Sequence, residues 1–217
     1  VALMRLAEEG KLSTSDPIGR YLPSLVGPAR DVPLRYLLGN SSGIADFTDP
    51  AQLSSARPSL TQSWTEPHSV DEVLATLADL PLRFRPGEVF EYSNSNYFLL
   101  GLVVQAVSGD YAAFLQRAVL ARAGIRGSRE DAHDAPNTAQ GHTIGDDGAR
   151  VLSPTYDMLL GFPGGSLRLS ANDFVRWDRA FADHELLSPV AEAELLSPHR
   201  ARVPAQLLQQ APTYIGY

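Results

Sequence analysis

The chain contains no cysteine and only one lysine, Lys11, among its 217 residues. Without cysteine there is no disulfide framework, no thiolate nucleophile and no thiolate metal site. Acidic residues outnumber basic ones, which gives a formal net charge of -7 at pH 7. Because phosphate binding requires clustered Lys and Arg, we expect no nucleic-acid partner.

Long apolar runs are also missing, as are internal repeats and low-complexity segments. No stretch approaches the roughly 20 apolar residues that cross a bilayer, so we expect no transmembrane segment within this chain. A hydrophobic content of 44% and a charged content of 20% are typical of a globular chain. Residues 1–217 are therefore expected to form a single domain with its own core.

Helix signals dominate what is present. Capping boxes at Ser69–Glu72 and Ser170–Asp173 each predict a helix start, and the first helix should run to about Leu80. A further helix is predicted from Asn96, with one buried apolar stripe made of Tyr97, Leu100, Gly101, Val104 and Val107. Strand signals are few, so helix and loop should make up most of the chain.

The remaining segments carry turn and loop signals. Residues 41–68 are rich in Ser, Thr, Pro and Asp, which indicates a long surface loop. A Gly-Asp-Asp-Gly turn between Thr143-Ile144 and Ala149-Arg150-Val151 predicts a hairpin. Pro163-Gly164-Gly165-Ser166 predicts a tight turn, beside which Tyr156, Phe162 and Pro163 are candidates to line a substrate pocket.

Both ends of the chain begin or stop inside a pattern. Val1 opens an apolar helical face with no N-cap residue before it. The last residues, Thr213–Tyr217, read as the beginning of a strand. We therefore interpret the chain as an internal piece of a longer protein, a partial domain truncated at both ends.

The triplet Tyr92-Ser93-Asn94 follows an extended run and immediately precedes the helix predicted from Asn96. In extended backbone, side chains two residues apart point the same way, so Tyr92 and Asn94 should face one pocket and Ser93 should turn away. A phenol beside a carboxamide can serve acyl-transfer chemistry, although it lacks a nucleophile. The plain alternative is a packed loop tyrosine followed by Asn94 as a helix N-cap.

Several landmarks fall in a characteristic order along nearly the whole chain. They are Leu6 to Leu12, Asp16-Pro17-Ile18, Tyr21-Leu22-Pro23, Leu37 to Ile44, Pro86-Gly87, Tyr92-Ser93-Asn94, Gly101 to Val104, Val107-Ser108-Gly109 and Pro163 to Leu167. Together they resemble the serine beta-lactamase and penicillin-binding protein family, in its class C beta-lactamase, D-aminopeptidase and esterase branch. The resemblance implies an α+β fold of the beta-lactamase/transpeptidase type. Only the helical lobe is expected here, with few strands, since the sheet-forming ends are missing.

The resemblance also implies a serine hydrolase that works through an acyl-enzyme on beta-lactam, D-amino peptide or ester substrates. Tyr92 matches the family's catalytic Tyr, which relays a proton to the leaving group, and Asn94 matches the Asn that holds the catalytic Lys and the substrate. The implied partner is a small-molecule or peptide substrate, and no metal or organic cofactor is implied. By the same resemblance, a periplasmic or extracellular location is favoured over a cytoplasmic one.

Two of the family's three catalytic boxes are missing from this chain. Lys11 is preceded three positions earlier by Glu8, so there is no Ser-x-x-K, and no His is followed two positions later by Gly. We expect the Ser-x-x-K box to lie just upstream of Val1 and the third box to follow Tyr217. A fragment without the nucleophile should be inactive alone. The alternative is a non-catalytic homologue that binds peptides or cell-wall fragments in the same cleft.

Three further interpretations stay open on the residues alone. Gly39-Asn40-Ser41-Ser42-Gly43 fits the Gly-x-Ser-x-Gly nucleophile elbow, although that motif requires a strand before it and a helix after it. Four residues of a polar stretch could act as metal ligands, but their spacing fits no ligand pattern; they are Asp131, His133, Asp134 and His142. A plain helical interaction domain predicts that Tyr92 and Asn94 share no pocket.

Overall fold

The computed structural model describes residues 1–53, 67–78, 80–126, 139–153, 162–165, 167–197 and 201–203. Within these ranges the α-helices are α1 (Ala2–Glu8), α2 (Leu34–Leu38), α3 (Val70–Leu77), α4 (Asn94–Ser108), α5 (Tyr111–Leu115), α6 (Ala171–Ala182) and α7 (Pro189–Leu195). Short 3-10 turns cover Ile18–Arg20, Pro28–Asp31 and Pro50–Gln52, and α5 continues into a π-helical segment, Gln116–Leu120.

Reciprocal caps open α3 and α6, as the sequence predicts. The Ser69 hydroxyl accepts a hydrogen bond from the Glu72 N–H, and the Glu72 carboxylate accepts one from the Ser69 N–H. Ser170 and Asp173 repeat this exchange at α6. Each cap pairs backbone donors that the first helical turn would leave without partners. α3 ends at Leu77, earlier than predicted, because the next residue already has an extended ψ.

α4 is packed on nearly all sides, with α1, α2 and α5 against it. The prediction of one buried stripe was too narrow, since Phe98, Leu99 and Val103 lie off that stripe and are at most 1% exposed. An apolar residue on every face of a helix favours complete burial over burial of one face. α4 is therefore the centre of the helical core, and its first turn carries the Tyr-x-Asn triplet into that core.

The core beside α4 includes the segment before the predicted tight turn. The Phe162 ring lies edge-on to Phe98 and Tyr111, with centroids 6.4 Å and 4.6 Å away. Pro163 packs on Gly101, where a Cβ would come within 2.1 Å of the proline ring. Phe162 and Pro163 thus pack on the core while they stay partly exposed, and their place beside a substrate pocket stays a prediction. Tyr156 lies outside the described residues.

The strands of the described part form one hairpin. β1 (His142–Ile144) pairs antiparallel with β2 (Arg150–Leu152), and the two strands are exposed along their length. A parallel bridge also joins Val89 to Arg202. This helix-rich architecture with few strands agrees with the expected helical lobe of the beta-lactamase/transpeptidase-like fold.

The segment that was predicted to be a long surface loop is in fact partly core. Residues 41–47 are buried, and Phe47 is fully inaccessible. Polar composition misled the prediction because these Ser and Asp side chains are paired with other buried polar groups, which removes the cost of burial. Residues 54–66 of the predicted loop lie outside the described residues.

The structure describes the start of the chain, and its last described residue is 203. α1 covers the predicted first helix, and Val1 makes no side-chain cap to it. The strand predicted at Thr213–Tyr217 lies outside the described residues.

Candidate active site

The backbone before α4 is held in an extended conformation from both sides. The Phe90 N–H donates to the carbonyl of Arg202 at 3.0 Å, and the Glu91 N–H donates to the carbonyl of Asn40 at 2.8 Å. Alternate backbone groups of an extended chain point to opposite sides, which allows a partner on each. The triplet that follows therefore enters α4 from a fixed direction.

The segment 40–44 lies against residues 83–87, and two glycines allow this approach. The Gly87 N–H donates to the Ser41 carbonyl at 2.7 Å, and the Arg83 N–H donates to the Gly43 carbonyl at 2.8 Å. Gly43 has φ +78, and a Cβ there would lie 2.3 Å from the Phe84 carbonyl oxygen. Only glycine fits that position without displacement of the backbone.

Tyr92 and Asn94 lie on the same side of the chain, as their spacing predicts. The Tyr92 hydroxyl donates a hydrogen bond to Asn94 Oδ1 at 3.1 Å. Tyr92 is 62% exposed, whereas Ser93 between them is 2% exposed. The phenol is thus available to a ligand while it remains connected to the carboxamide, and the catalytic roles of the pair stay a prediction.

The other end of the Asn94 carboxamide is held by a segment far away in sequence. Asn94 Nδ2 donates to Asp46 Oδ2 and to Thr48 Oγ1, each at 2.9 Å. The Asn94 backbone N–H also donates to Asp46 Oδ2, at 3.0 Å. Both amide N–H groups are therefore engaged, and Oδ1 is the group that Asn94 presents beside Tyr92.

Asp46 is the member of this arrangement that sequence reasoning missed. It is 4% exposed, and its second oxygen accepts from the Thr48 N–H at 2.8 Å and from the Thr48 hydroxyl at 2.7 Å. The carboxylate also lies at the N-terminus of α4, where negative charge is favourable. The available signal was the Asp-x-Thr spacing, which suits a local side-chain to backbone bond.

Asn94 is not the N-cap of α4 through its own side chain, as the plain alternative proposed. Ser93 occupies the N-cap position and makes no side-chain cap. The carboxylate of Asp46 instead accepts from the first N–H of the helix. A cap supplied from another segment leaves the Asn94 oxygen free to face Tyr92.

The two residues that follow Asn94 in α4 also make buried polar contacts. Asn96 is fully buried, and it donates to Asn40 Oδ1 at 2.9 Å and accepts from the Ser42 hydroxyl at 2.5 Å. The Ser95 hydroxyl, also fully buried, donates to the Ala45 carbonyl at 2.6 Å. These bonds attach the first turn of α4 to residues 40–47.

The nucleophile-elbow interpretation of residues 39–43 was wrong. Ser41 and Ser42 are each 1% exposed, so neither hydroxyl can meet a substrate. The segment follows a helix, α2, where the elbow requires a strand, and irregular backbone follows it where the elbow requires a helix. Ser42 instead donates a hydrogen bond to Asn96, and the Ser41 carbonyl accepts one from Gly87.

Tyr97, within α4, is a second phenol close to the first. Its hydroxyl donates to the Leu38 carbonyl at 3.2 Å. Burial, and then the neighbouring Tyr92, raise the pKa of Tyr97 above its ordinary value of 10.0. Because burial disfavours the charged phenolate, Tyr97 stays neutral and serves as a structural donor.

Metal binding finds no support among the residues that the structure describes. None of them form a group of three or more His, Asp or Glu side chains able to hold a metal ion. His142 lies exposed on β1, and Asp131, His133 and Asp134 fall outside the described ranges.

No single helix within the described ranges has the length and apolar composition to cross a membrane. The segments Asn94–Ser108 and Tyr111–Leu120 meet those two criteria only as a pair, and that pair is bent by 87°.

Comparisons with known proteins agree with the landmarks. PbpX of Bacillus subtilis (strain 168), which is named as a penicillin-binding protein, is 26% identical over 201 residues. Those residues cover 91% of this chain and 47% of PbpX, so the chain spans about half the length of this relative.

Solved structures give the same result. The crystal structure of a penicillin binding protein from Bacillus halodurans matches with a TM-score of 0.76 and 28% identity, over 91% of this chain and 61% of that one. The D-amino acid amidase from Ochrobactrum anthropi SV3 matches with a TM-score of 0.71 over 90% of this chain and 57% of the amidase. At 22% identity the amidase shows a shared fold alone.

The family model described as Beta-lactamase matches residues 1–216, which is nearly the whole chain. The order of the landmarks, the Tyr-x-Asn geometry at the start of α4 and these similarities agree with one another. The chain belongs to the Beta-lactamase family.

Proposed function

We propose that this chain is part of a serine hydrolase that forms and hydrolyses an acyl-enzyme. In this proposal the nucleophilic Ser and its Lys belong to a Ser-x-x-K box upstream of Val1 in the full-length protein. This chain contributes the Tyr92 and Asn94 side of the cleft. The observation that carries the proposal is the exposed Tyr92 phenol, hydrogen-bonded to an Asn94 that is itself held by Asp46.

Each residue has a defined step. The Ser oxygen attacks the substrate carbonyl and loses its proton to the Lys and Tyr92 pair, and the resulting tetrahedral intermediate collapses as Tyr92 gives a proton to the leaving group. Water then attacks the acyl-enzyme ester, and the Ser oxygen regains a proton as the acid is released. Asn94 Oδ1 accepts a hydrogen bond from the Lys ammonium and so fixes its position.

Membership of the Beta-lactamase family and the similarity to a penicillin binding protein support beta-lactams, D-amino peptides and simple esters as candidate substrates. All three classes present a carbonyl to the same nucleophile and require a proton at the leaving group. We further propose that the chain as given is inactive alone, because removal of the nucleophile removes covalent catalysis.

The test uses the full-length protein with a panel of nitrocefin, p-nitrophenyl acetate and a D-alanine p-nitroanilide. We expect turnover of at least one substrate and a covalent acyl adduct detectable by mass spectrometry. Tyr92→Phe should lower turnover by about a hundredfold or more, because the proton relay is lost. Tyr21→Phe, which removes a phenol bonded to Asp16 outside the site, is the matched control.

Three results would contradict the proposal. They are the absence of Ser followed three positions later by Lys upstream of Val1, unchanged turnover in Tyr92→Phe, and no turnover in the full-length protein. Ligand binding without turnover would instead support the non-catalytic homologue.

A further inference from the structure

The orientation of the Asn94 carboxamide depends on a residue outside the Tyr-x-Asn triplet. Asp46 Oδ2 receives both the backbone N–H and the side-chain Nδ2 of Asn94, at 3.0 Å and 2.9 Å. Thr48 Oγ1 receives a second bond from the same Nδ2 at 2.9 Å. Three bonds thus join Asn94 to two residues of the segment 46–48.

A carboxylate can only accept hydrogen bonds, and this decides which way the amide faces. If the Asn94 amide were rotated by half a turn, its Oδ1 would lie against Asp46 Oδ2 in a buried place, and two acceptors would meet. The Thr48 hydroxyl proton offers no relief, because it is donated to Asp46 Oδ1 at 2.7 Å. The observed orientation, with Oδ1 toward Tyr92, is the one that satisfies every group.

We propose that Asp46 is a positioning residue that holds the Asn94 carbonyl oxygen toward Tyr92 and the cleft. This inference rests on the proposed function, since it names the residue that decides which end of the Asn94 amide faces the cleft. Asp46 touches no reacting atom. It acts through Asn94, which becomes a hydrogen-bond acceptor only.

The orientation of the Asn94 amide decides which hydrogen-bonding groups Asn94 can bind in the cleft. With both N–H groups occupied, Asn94 offers the cleft no donor. In this orientation Oδ1 can accept a hydrogen bond from an ammonium or another N–H group. The lysine side chain of the proposed Ser-x-x-K box and a substrate amide N–H both fit that requirement.

The first test is Asp46→Asn in the full-length protein, alone and combined with Asn94→Ala. The substituted asparagine is similar in size to the aspartate, but it can present an NH₂ group that pairs with Asn94 Oδ1 and turns the amide around. We expect turnover to fall about tenfold or more in Asp46→Asn, and to show little further loss when the change is made in the Asn94→Ala background. A residue that only stabilises the fold would lower turnover equally in both backgrounds.

The matched control is Asp110→Asn. Asp110 caps α5 through the Ala113 N–H, and an asparagine side chain can cap a helix equally well. Turnover of this variant should equal that of the unmodified protein, and its thermal unfolding temperature calibrates the general effect of an Asp→Asn change.

The second test is independent of catalysis. In protein labelled with ¹⁵N-asparagine, the side-chain NH₂ signal of Asn94, assigned by its loss in Asn94→Ala, should exchange slowly with solvent. Thr48→Val removes one acceptor and keeps the size of the side chain, so exchange should become faster. This exchange measurement tests the orientation of the Asn94 amide even when Asp46→Asn fails to fold or Asn94→Ala has no measurable turnover.

The outcomes separate the two proposals. Fast exchange of the Asn94 NH₂ in the unmodified protein, or additive losses in the double-mutant cycle, would overturn the role of Asp46 and leave the hydrolase proposal intact. Slow exchange with no hydrolysis of any substrate would support the orientation of Asn94 and overturn the hydrolase proposal.

Discussion

The first turn and the middle of α4 are held in different ways. At its first turn, Asn94, Ser95 and Asn96 all bond to polar groups of residues 40–48. Farther along, Gly101 packs against the Pro163 ring and the Phe98 ring packs edge-on against Phe162. The same helix is therefore fixed by hydrogen bonds where it carries the site and by close packing at its middle.

This difference has a physical reason. A hydrogen bond prefers a direction as well as a distance, so a set of them can orient a carboxamide or a phenol. Apolar contact is non-directional and fixes mainly how closely two elements approach. The first turn is also more sensitive to substitution, because a buried polar group that loses its partner costs more free energy than the bond itself contributed.

The largest change in stability is expected at the first turn of α4, from Asn96→Ala. The substitution leaves Ser42 and Asn40 buried without one of their partners, and each orphaned group costs about 1–3 kcal/mol. We expect a loss of about 3 kcal/mol in the free energy of unfolding of the full-length protein, measured by urea denaturation. Asn172→Ala, at an exposed position in α6, is the control and should change stability by less than about 0.5 kcal/mol.

The apolar contact at the middle of α4 is tested by Gly101→Ala. The new methyl group would meet the Pro163 ring at 2.1 Å, so the segment that carries Pro163 must move. Overpacking of this kind costs about 2 kcal/mol, visible as a lower midpoint of thermal unfolding. Gly141→Ala is the control, since its nearest neighbour in the hairpin is a Ser153 hydroxyl at 3.3 Å. Equal stability of the two variants would show that the Pro163 contact is not tight.

The smallest and sharpest test compares two neighbouring buried serines. The Ser95 hydroxyl donates to the Ala45 carbonyl and accepts from the Phe47 N–H, whereas the Ser93 hydroxyl has no partner among the described residues. Ser95→Ala should cost about 1–2 kcal/mol in urea denaturation, and Ser93→Ala should cost nothing or stabilise slightly. Equal losses would refute the claim that paired hydroxyls hold the start of α4.

The sequence predicted local features well where one or two neighbouring residues decide them. The caps of α3 and α6 and the hairpin at 142–152 follow from side chains that bond within their own turn. The shared side of Tyr92 and Asn94 follows from the geometry of extended backbone alone. Such features need no knowledge of distant segments.

Prediction failed where distant segments meet. Residues 41–47 have the composition of a surface loop, and only contact with α4 makes their burial favourable. α4 itself carries apolar residues on every face, so periodicity could not show which faces would be covered. Phe162 gave no sign of its place beside Phe98, which lies far from it in the sequence.

The residues alone were enough to predict the family, the helix-rich character and the pairing of a phenol with a carboxamide at the entry to α4. The folded arrangement of the chain was needed to show that Asp46 and Thr48 bind the amide group of Asn94 and turn its oxygen toward Tyr92. Local rules state which side of the chain a residue occupies. The polarity of an amide depends on its partner across the fold, and that partner is brought near only when the core is assembled.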